Sequence, residues 1–318
     1  MKKILSLLLV LTMVLCAFVA CTPATPDAGN NNTDNGNNNT DNTPAEKTYT
    51  LALAVDTTIG KNNKVSNTAL VLVIDADNKI VAARVDSAEA TPALDEAGAL
   101  VPQESVQSKV EKGDAYTGMA AGSWANQAAA FEAWLVGKTA ADVAGTEFTN
   151  ELIAGCTMTS SMATFKALVA EAFASTTKVT FKTTESIKTG LALSTSVASG
   201  KGGKVTVSTD VAATVIAGDK VAATVIDSIE QSFTIAEGAL VAGDLSASKA
   251  EQGDNYAMTA GSWVKQAAAF SNSTVGKTVA ELANLETVSD ALAAAGCTMQ
   301  NTTAGYKATI IKAASYAK

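Results

Sequence analysis

Aliphatic and β-branched residues crowd into TYTLALAV (48–55), NTALVLVID (67–75) and KIVAARVDS (79–87), the composition of strands that bury side chains against neighbours. DADNK, between the last two, supplies a tight turn. The stretches KVTVSTDVAATVI (204–216) and KVAATVIDSIEQSFTI (220–235) repeat this hairpin around AGD. After the strands the pattern changes. SWANQAAAFEAWLV has helical composition and ends at Gly137, and MATFKALVAEAF sets Met162, Phe165, Leu168, Val169 and Phe173 along one helical face. The pattern predicts an α+β fold, a curved antiparallel sheet with helices packed on it.

The prediction is made twice, because the chain repeats itself. DNKIVAARVDS (77–87) answers GDKVAATVIDS (218–228), AGSWANQAAAF (121–131) answers AGSWVKQAAAF (260–270), and VGKT recurs at 136–139 and 275–278. AGCTMT (154–159) answers AGCTMQ (295–300). The body is longer than one hydrophobic core usually organises. Two domains are therefore expected, 47–175 and 177–318, folding independently and joined near residue 176.

The N-terminal segment sets an expectation about compartment. Lys2 and Lys3 precede an apolar run from Ile4 to Ala20, the pattern of a secretory signal peptide over residues 1–20. Ala20 before Cys21 resembles the lipobox of bacterial lipoproteins, in which Cys21 becomes the lipidated first residue of the mature chain. Residues 21–46 then form an Asn-rich tether without large apolar side chains, disordered by composition. A flexible chain of that length reaches roughly 25–30 Å.

Composition narrows the chemistry. A net charge of −8 with no basic stripe argues against nucleic acid as a partner. The chain has no histidine, which removes Ser-His-Asp and Cys-His nucleophiles and histidine-ligated metals. Cys16 leaves with the signal and Cys21 is the lipid site, so the body keeps Cys156 and Cys297. These occupy equivalent places in the two copies and are read as two separately buried side chains or as a bridge between the copies.

VGKT lacks the upstream glycine of a phosphate-binding loop: Glu132 and Ser271 stand there. Instead Gly137 and Gly276 end one helix, and Thr139 with Asp142, and Thr278 with Glu281, make capping boxes for the next. Trp124 and Trp263, with Tyr116 and Tyr256 just upstream, are candidates for stacking on a planar ligand or for core packing. In AGCTMT, Gly155 permits a left-handed turn, Cys156 is small and apolar, and Thr157, Thr159 and Ser160 bring hydroxyls to a helix starting near Ser161. That end suits an anion, or a plain helix cap by Thr157 or Thr159.

The order of strand-rich segment, SW…QAAAF…VGKT helix, AGCTMT and amphipathic helix resembles the FMN-binding domain of bacterial membrane and surface flavoproteins, among them flavin-carrying subunits of sodium-pumping quinone reductases. The resemblance spans nearly all of each copy. It implies FMN attached by a flavin transferase as a phosphoester on the last hydroxyl of a motif with an acidic residue, two spacers, then S-G-A-T-x-T or S. Here the acidic position is Glu151, Ala154, Gly155, Cys156 and Thr157 match the S-G-A-T stretch, Met158 is the variable residue and Thr159 the acceptor. Ala154, Cys156 and Glu151 stand where the family has serine, alanine and aspartate. The second copy has Leu292 at the acidic position and Gln300 at the acceptor, so no ester forms there. The resemblance implies a lipoprotein on the outer face of the bacterial cytoplasmic membrane that passes electrons from FMN on its first copy to a redox partner, with Trp124 and Ser160 beside the cofactor. The alternative is a surface binding or structural lipoprotein that keeps the fold without flavin.

Overall fold

The computed structural model describes residues 45–116, 121–149, 151–158, 161–200, 203–299 and 302–318. Residues 1–44, which hold the expected signal peptide, Cys21 and nearly all of the expected tether, lie outside the described residues, as do Thr159, Ser160 and Gln300. The first strands are β1 (Lys47–Ile59), β2 (Val65–Asp75) and β3 (Ile80–Ala90), followed by the short β4 (Ala93–Leu94), β5 (Leu100–Val101) and β6 (Gln103–Val106). Then come α1 (Lys109–Lys112), α2 (Trp124–Leu135), α3 (Ala140–Ala144) and α4 (Met162–Ala174). The second half begins with β7 (Val179–Thr183), β8 (Ile187–Ser199), β9 (Val205–Ala217), β10 (Lys220–Ala236) and β11 (Ala239–Ala242). It continues with α5 (Lys249–Gln252), β12 (Ala257–Met258), β13 (Gly261–Ser262), α6 (Trp263–Asn272), α7 (Val279–Leu282), α8 (Asp290–Ala294) and α9 (Thr303–Ser315).

The fold is α+β, with antiparallel sheets and packed helices, as the pattern predicts. One sheet runs β3-β2-β1-β7 and the other β11-β10-β9-β8-β6. Each strand of the central region sends alternate side chains to opposite faces, and both faces are buried. Leu51, Leu53, Val71 and Val73 of the first sheet meet Leu191, Leu193, Val211 and Val215 of the second in a shared interior. The outer face of the first sheet, with Ala52, Leu70, Leu72 and Val85, packs on Phe131, Phe165 and Leu168 of α2 and α4. The outer face of the second, with Ala192, Ala212 and Ile226, packs on Phe270, Tyr306 and Ile310 of α6 and α9. The layers are therefore helix, sheet, sheet, helix.

Local signals act as expected at several points. Thr139 with Asp142 and Thr278 with Glu281 form reciprocal capping boxes, and Gly137 and Gly276 adopt φ of 83° and 79° at the ends of the preceding helices. Ile187–Ser199 is absent from the expected strands because Gly190, Ser194 and Ser196 dilute its apolar signal. Gly190 has a packing reason: a methyl there would run into the Ala313 carbonyl of α9, which lies directly on β8.

The repeat boundary near residue 176 separates the copies in sequence but not the sheets. β7, from beyond the boundary, pairs with β1 through Leu51↔Val179 and Lys47↔Thr183. β6, from before it, pairs with β8 through Gln103↔Val197. Pro44–Lys318 is one compact unit. A polar chain crosses the shared interior: Thr57 Oγ1 donates to Asn67 Oδ1 at 2.8 Å, Asn67 Nδ2 donates to Thr209 Oγ1 at 2.7 Å, and Thr209 pairs with Thr195 at 2.8 Å. All four side chains are buried, so the chain fixes how the sheets face each other.

Two outcomes test this architecture. Residues 47–175 and 177–318, produced separately, would each bare the apolar inner face of a sheet; neither is expected to unfold cooperatively, and a sharp thermal transition in either would refute the shared core. Asn67→Ala leaves Thr57 without its buried acceptor and is expected to lower stability by about 1–3 kcal/mol in denaturant titration.

Candidate functional site

The residues singled out around AGCTMT occupy two different places. Gly155 adopts φ of 80°, the turn its sequence predicts. Cys156 and Met158 point into the core beside Phe131 and Met162, and burial pushes the Cys156 thiol up from its ordinary value. Among the described residues Thr157 turns to α2 rather than to the start of α4. Its backbone N–H donates to Gln127 Oε1 at 2.7 Å and its hydroxyl donates to the same oxygen at 3.1 Å. Gln127, on α2, is fully buried, so the turn is locked to that helix. Glu151 is exposed.

The same lock exists in the second half. Thr298 N–H and hydroxyl donate to Gln266 Oε1 at 2.9 and 3.0 Å, Gly296 has φ of 97°, and Cys297 and Met299 are buried. The two thiols are free, each in its own helical core. The shared pentapeptide thus has a structural use in both halves. The halves differ at the sixth residue, Thr159 against Gln300, which lies outside the described residues in each case.

Directly after that position, the start of α4 borders a polar cavity of about 160 Å³. Trp124 and Phe165 form part of its wall, and the hydroxyls of Ser66, Thr68, Ser87, Ser161 and Thr164 line it with Lys109, Glu89 and Asp56. Sequence places Trp124 and Ser161 near the site; the cavity joins to them side chains of β1, β2, β3 and α1. Trp124 is buried, with Lys109 Nζ lying 5.6 Å from its ring centroid. Among the described residues its indole N–H has no hydrogen-bond partner. Glu89 is held by Lys109 at 2.9 Å and Lys64 at 3.3 Å, and it accepts from the Tyr116 hydroxyl at 3.1 Å. Burial drives its carboxyl up, but Lys109 and Lys64 together outweigh burial and hold it below its ordinary value. Burial raises Asp56.

In the second half different side chains occupy the corresponding ground. Tyr306 stands where the first half has Phe165, and Trp263 Nε1 donates to its hydroxyl at 3.2 Å. Asp210 replaces Thr68 opposite Ser228, and Gly305 replaces Thr164, where a methyl would come within 3.2 Å of the Asp210 carboxylate. Ser194 replaces Asp56 and pairs with the buried Thr309 at 2.9 Å. Lys249 and Glu230 repeat the Lys109–Glu89 pair at 2.7 Å. The framework is common to both halves; an open polar cavity is described for the first.

Among the described residues no group of three or more His, Cys, Asp or Glu side chains could hold a metal ion, and no helix is long and apolar enough to cross a membrane. Comparison with protein-family models, curated proteins and solved structures returns no match for this chain.

Gln127→Leu removes the acceptor of two Thr157 donors. It is expected to cost about 1–3 kcal/mol and to raise amide exchange across residues 151–158 while leaving 292–299 protected. Equal exchange in both turns would show that Gln127 is not what holds the first.

Proposed function

We propose that the protein is a lipid-anchored surface flavoprotein that carries FMN on its first half and passes electrons to a redox partner. The observation that supports this most is the asymmetry between the halves. An open, hydroxyl-lined cavity with Trp124 in its wall lies at the start of the helix that follows Thr159. At the matching positions of the second half Tyr306 takes the Trp263 N–H, Gly305 lies close to the Asp210 carboxylate, and Ser194 pairs with Thr309.

The donor set suits a flavin in part. A row of hydroxyls, the Trp124 N–H and the Lys109 ammonium favour the carbonyl and ring-nitrogen edge of an isoalloxazine. Asp56 and Glu89 disfavour an anion inside, which agrees with a phosphate held outside as an ester on Thr159. About 160 Å³ is below the 300 Å³ or so at which cofactor pockets usually begin, so the cavity takes one edge of the ring system. When bound, FMN supplies one- or two-electron transfer. The chain's own contribution is to orient that edge through Trp124 and the hydroxyls, and to hold the turn before Thr159 rigid through Gln127. Cys156 and Met158 support that turn from the core, and Glu151 is exposed to the attaching flavin transferase. The lipid on Cys21 and the tether of residues 21–46 would hold this body near the membrane.

The second reading is a surface lipoprotein that keeps the fold without flavin and binds a smaller polar ligand. The cavity's volume favours it, together with Ala154, Cys156 and Glu151 in the acceptor motif. Mass spectrometry separates the two. Coexpressed with a flavin transferase, the full chain is expected to gain the mass of one FMN less water on the peptide containing Thr159, and Thr159→Ala to abolish the gain. An unmodified Thr159 in a host that flavinylates another protein of the resembled family would leave the second reading standing.

A further inference from the structure

Two equivalent places lie between the halves beside the shared interior, and the charges at these places differ. In one, Lys312 of α9 donates to the Leu193 carbonyl at 2.7 Å and bridges to Glu111 of α1 at 2.7 Å. Glu111 is also the capping-box residue of Ser108. In the other, the position of Lys312 is taken by Glu171 of α4, that of Leu193 by Val55, and that of Glu111 by Glu251, the capping-box residue of Ser248. A lysine–glutamate bridge on one side thus becomes two glutamates on the other.

Glu171 and Glu251 line one cavity of about 220 Å³ with Asp227, Leu53, Ser248 and Ala250. The carboxylates of Glu251 from α5, Asp227 from β10 and Asp56 from β1 act on Glu171 and favour its protonated form. No lysine or arginine lines that cavity among the described residues. We propose that Glu171, where α4 and α5 line this cavity between the halves, is a proton-operated latch, closed while Glu171 carries a proton and loosened when it is charged. α4 also carries Thr164 and Phe165, with Ser161 just before its start, at the polar cavity, so the latch sits on the helix that borders the candidate site. The proposal does not depend on what that site binds.

The direction follows from carboxyls that line one cavity with no lysine or arginine among the described lining residues. Burial, then the charge of Glu251, pushes Glu171 up from 4.5 to about 7, with the Val55 amide working against them. A carboxyl raised in the folded state binds its proton more tightly there than in the unfolded chain. Its stabilising effect is therefore complete below about pH 4.5 and is lost as pH rises through about 7. On the opposite contact burial pushes Glu111 up, but Lys312 and the Ser108 cap outweigh it and hold that carboxyl below its ordinary value.

The test uses the full chain and two variants. Carboxyl ¹³C NMR should show Glu171 titrating near neutral pH, well above an ordinary glutamate. Glu171→Gln should match the wild type in thermal unfolding at pH 5 and exceed it by about 2–4 °C at pH 8. Hydrogen exchange of α4 and α5 in the wild type should rise between pH 6 and 8 beyond the intrinsic rate, and in the variant it should not. Glu171→Lys, which copies the opposite contact, should raise the pH 8 transition further. An ordinary Glu171 titration, or a wild type and Glu171→Gln difference that does not change with pH, would overturn the latch even if Glu171→Lys failed to fold.

Discussion

Each central strand buries the side chains on both of its faces, and the rest of the structure follows from that. The inner faces of the two sheets cover each other, with Leu51, Leu53, Val71 and Val73 against Leu191, Leu193 and Val211. Their outer faces must then be covered by helices, which fixes α2 and α4 on one side and α6 and α9 on the other. Burial of one such leucine or valine contributes about 1.5–3 kcal/mol, so a sheet stripped of its partner would lose far more than a domain's net stability. Doubly buried strands also need no strict alternation in sequence, which is why NTALVLVID reads as a nearly continuous apolar run. The Thr57–Asn67–Thr209–Thr195 chain adds direction to an otherwise slippery apolar contact, since a sheet shifted by one residue would strand these groups unpaired.

The repeat is kept at the level of single hydrogen bonds, and this separates what is framework from what is specific. Asp86 accepts from Ser87 and Val110 amides at 2.7 and 3.0 Å, and Asp227 accepts from Ser228 and Ala250 at the same two distances. Burial raises both carboxyls to about 6. The turn lock on Gln127 and Gln266 is equally shared. Against that common frame the unshared residues stand out: Phe165 against Tyr306, Thr68 against Asp210, and Glu171 against Lys312. The first two change the side chains at the polar cavity. The last turns an ion pair into an acid pair.

AGCTM illustrates how a motif can carry two meanings. Its glycine, buried cysteine and methionine, and the Gln-bound threonine explain why five residues recur in both halves with no reference to a ligand. Any functional meaning therefore rests on the sixth residue and on the cavity beyond it. Trp124 is part of that cavity's wall as well as of the core, so the alternatives of stacking partner and packing residue are not exclusive.

By itself the sequence determined the α+β class, the order of most strands and helices, the capping boxes at Thr139 and Thr278, and the left-handed turns at Gly137, Gly155 and their counterparts. These are local: a cap needs a hydroxyl and a carboxylate three residues apart, and a positive φ needs a glycine. It also exposed the difference between Thr159 and Gln300. Strand β8 was not legible, because Gly190 and its serines owe their presence to α9 lying close above. Nor could the sequence show that the two copies share one interior, that β6 and β7 join the sheets of the opposite halves, or that Thr157 turns to Gln127. The gathering of Asp56, Lys109, Trp124 and Ser161 around one cavity, and of Glu171 with Glu251, was likewise decided by tertiary structure. Such contacts join residues dozens to hundreds of positions apart, and their partners are chosen by which faces must be covered, a condition that exists only once the two sheets have met.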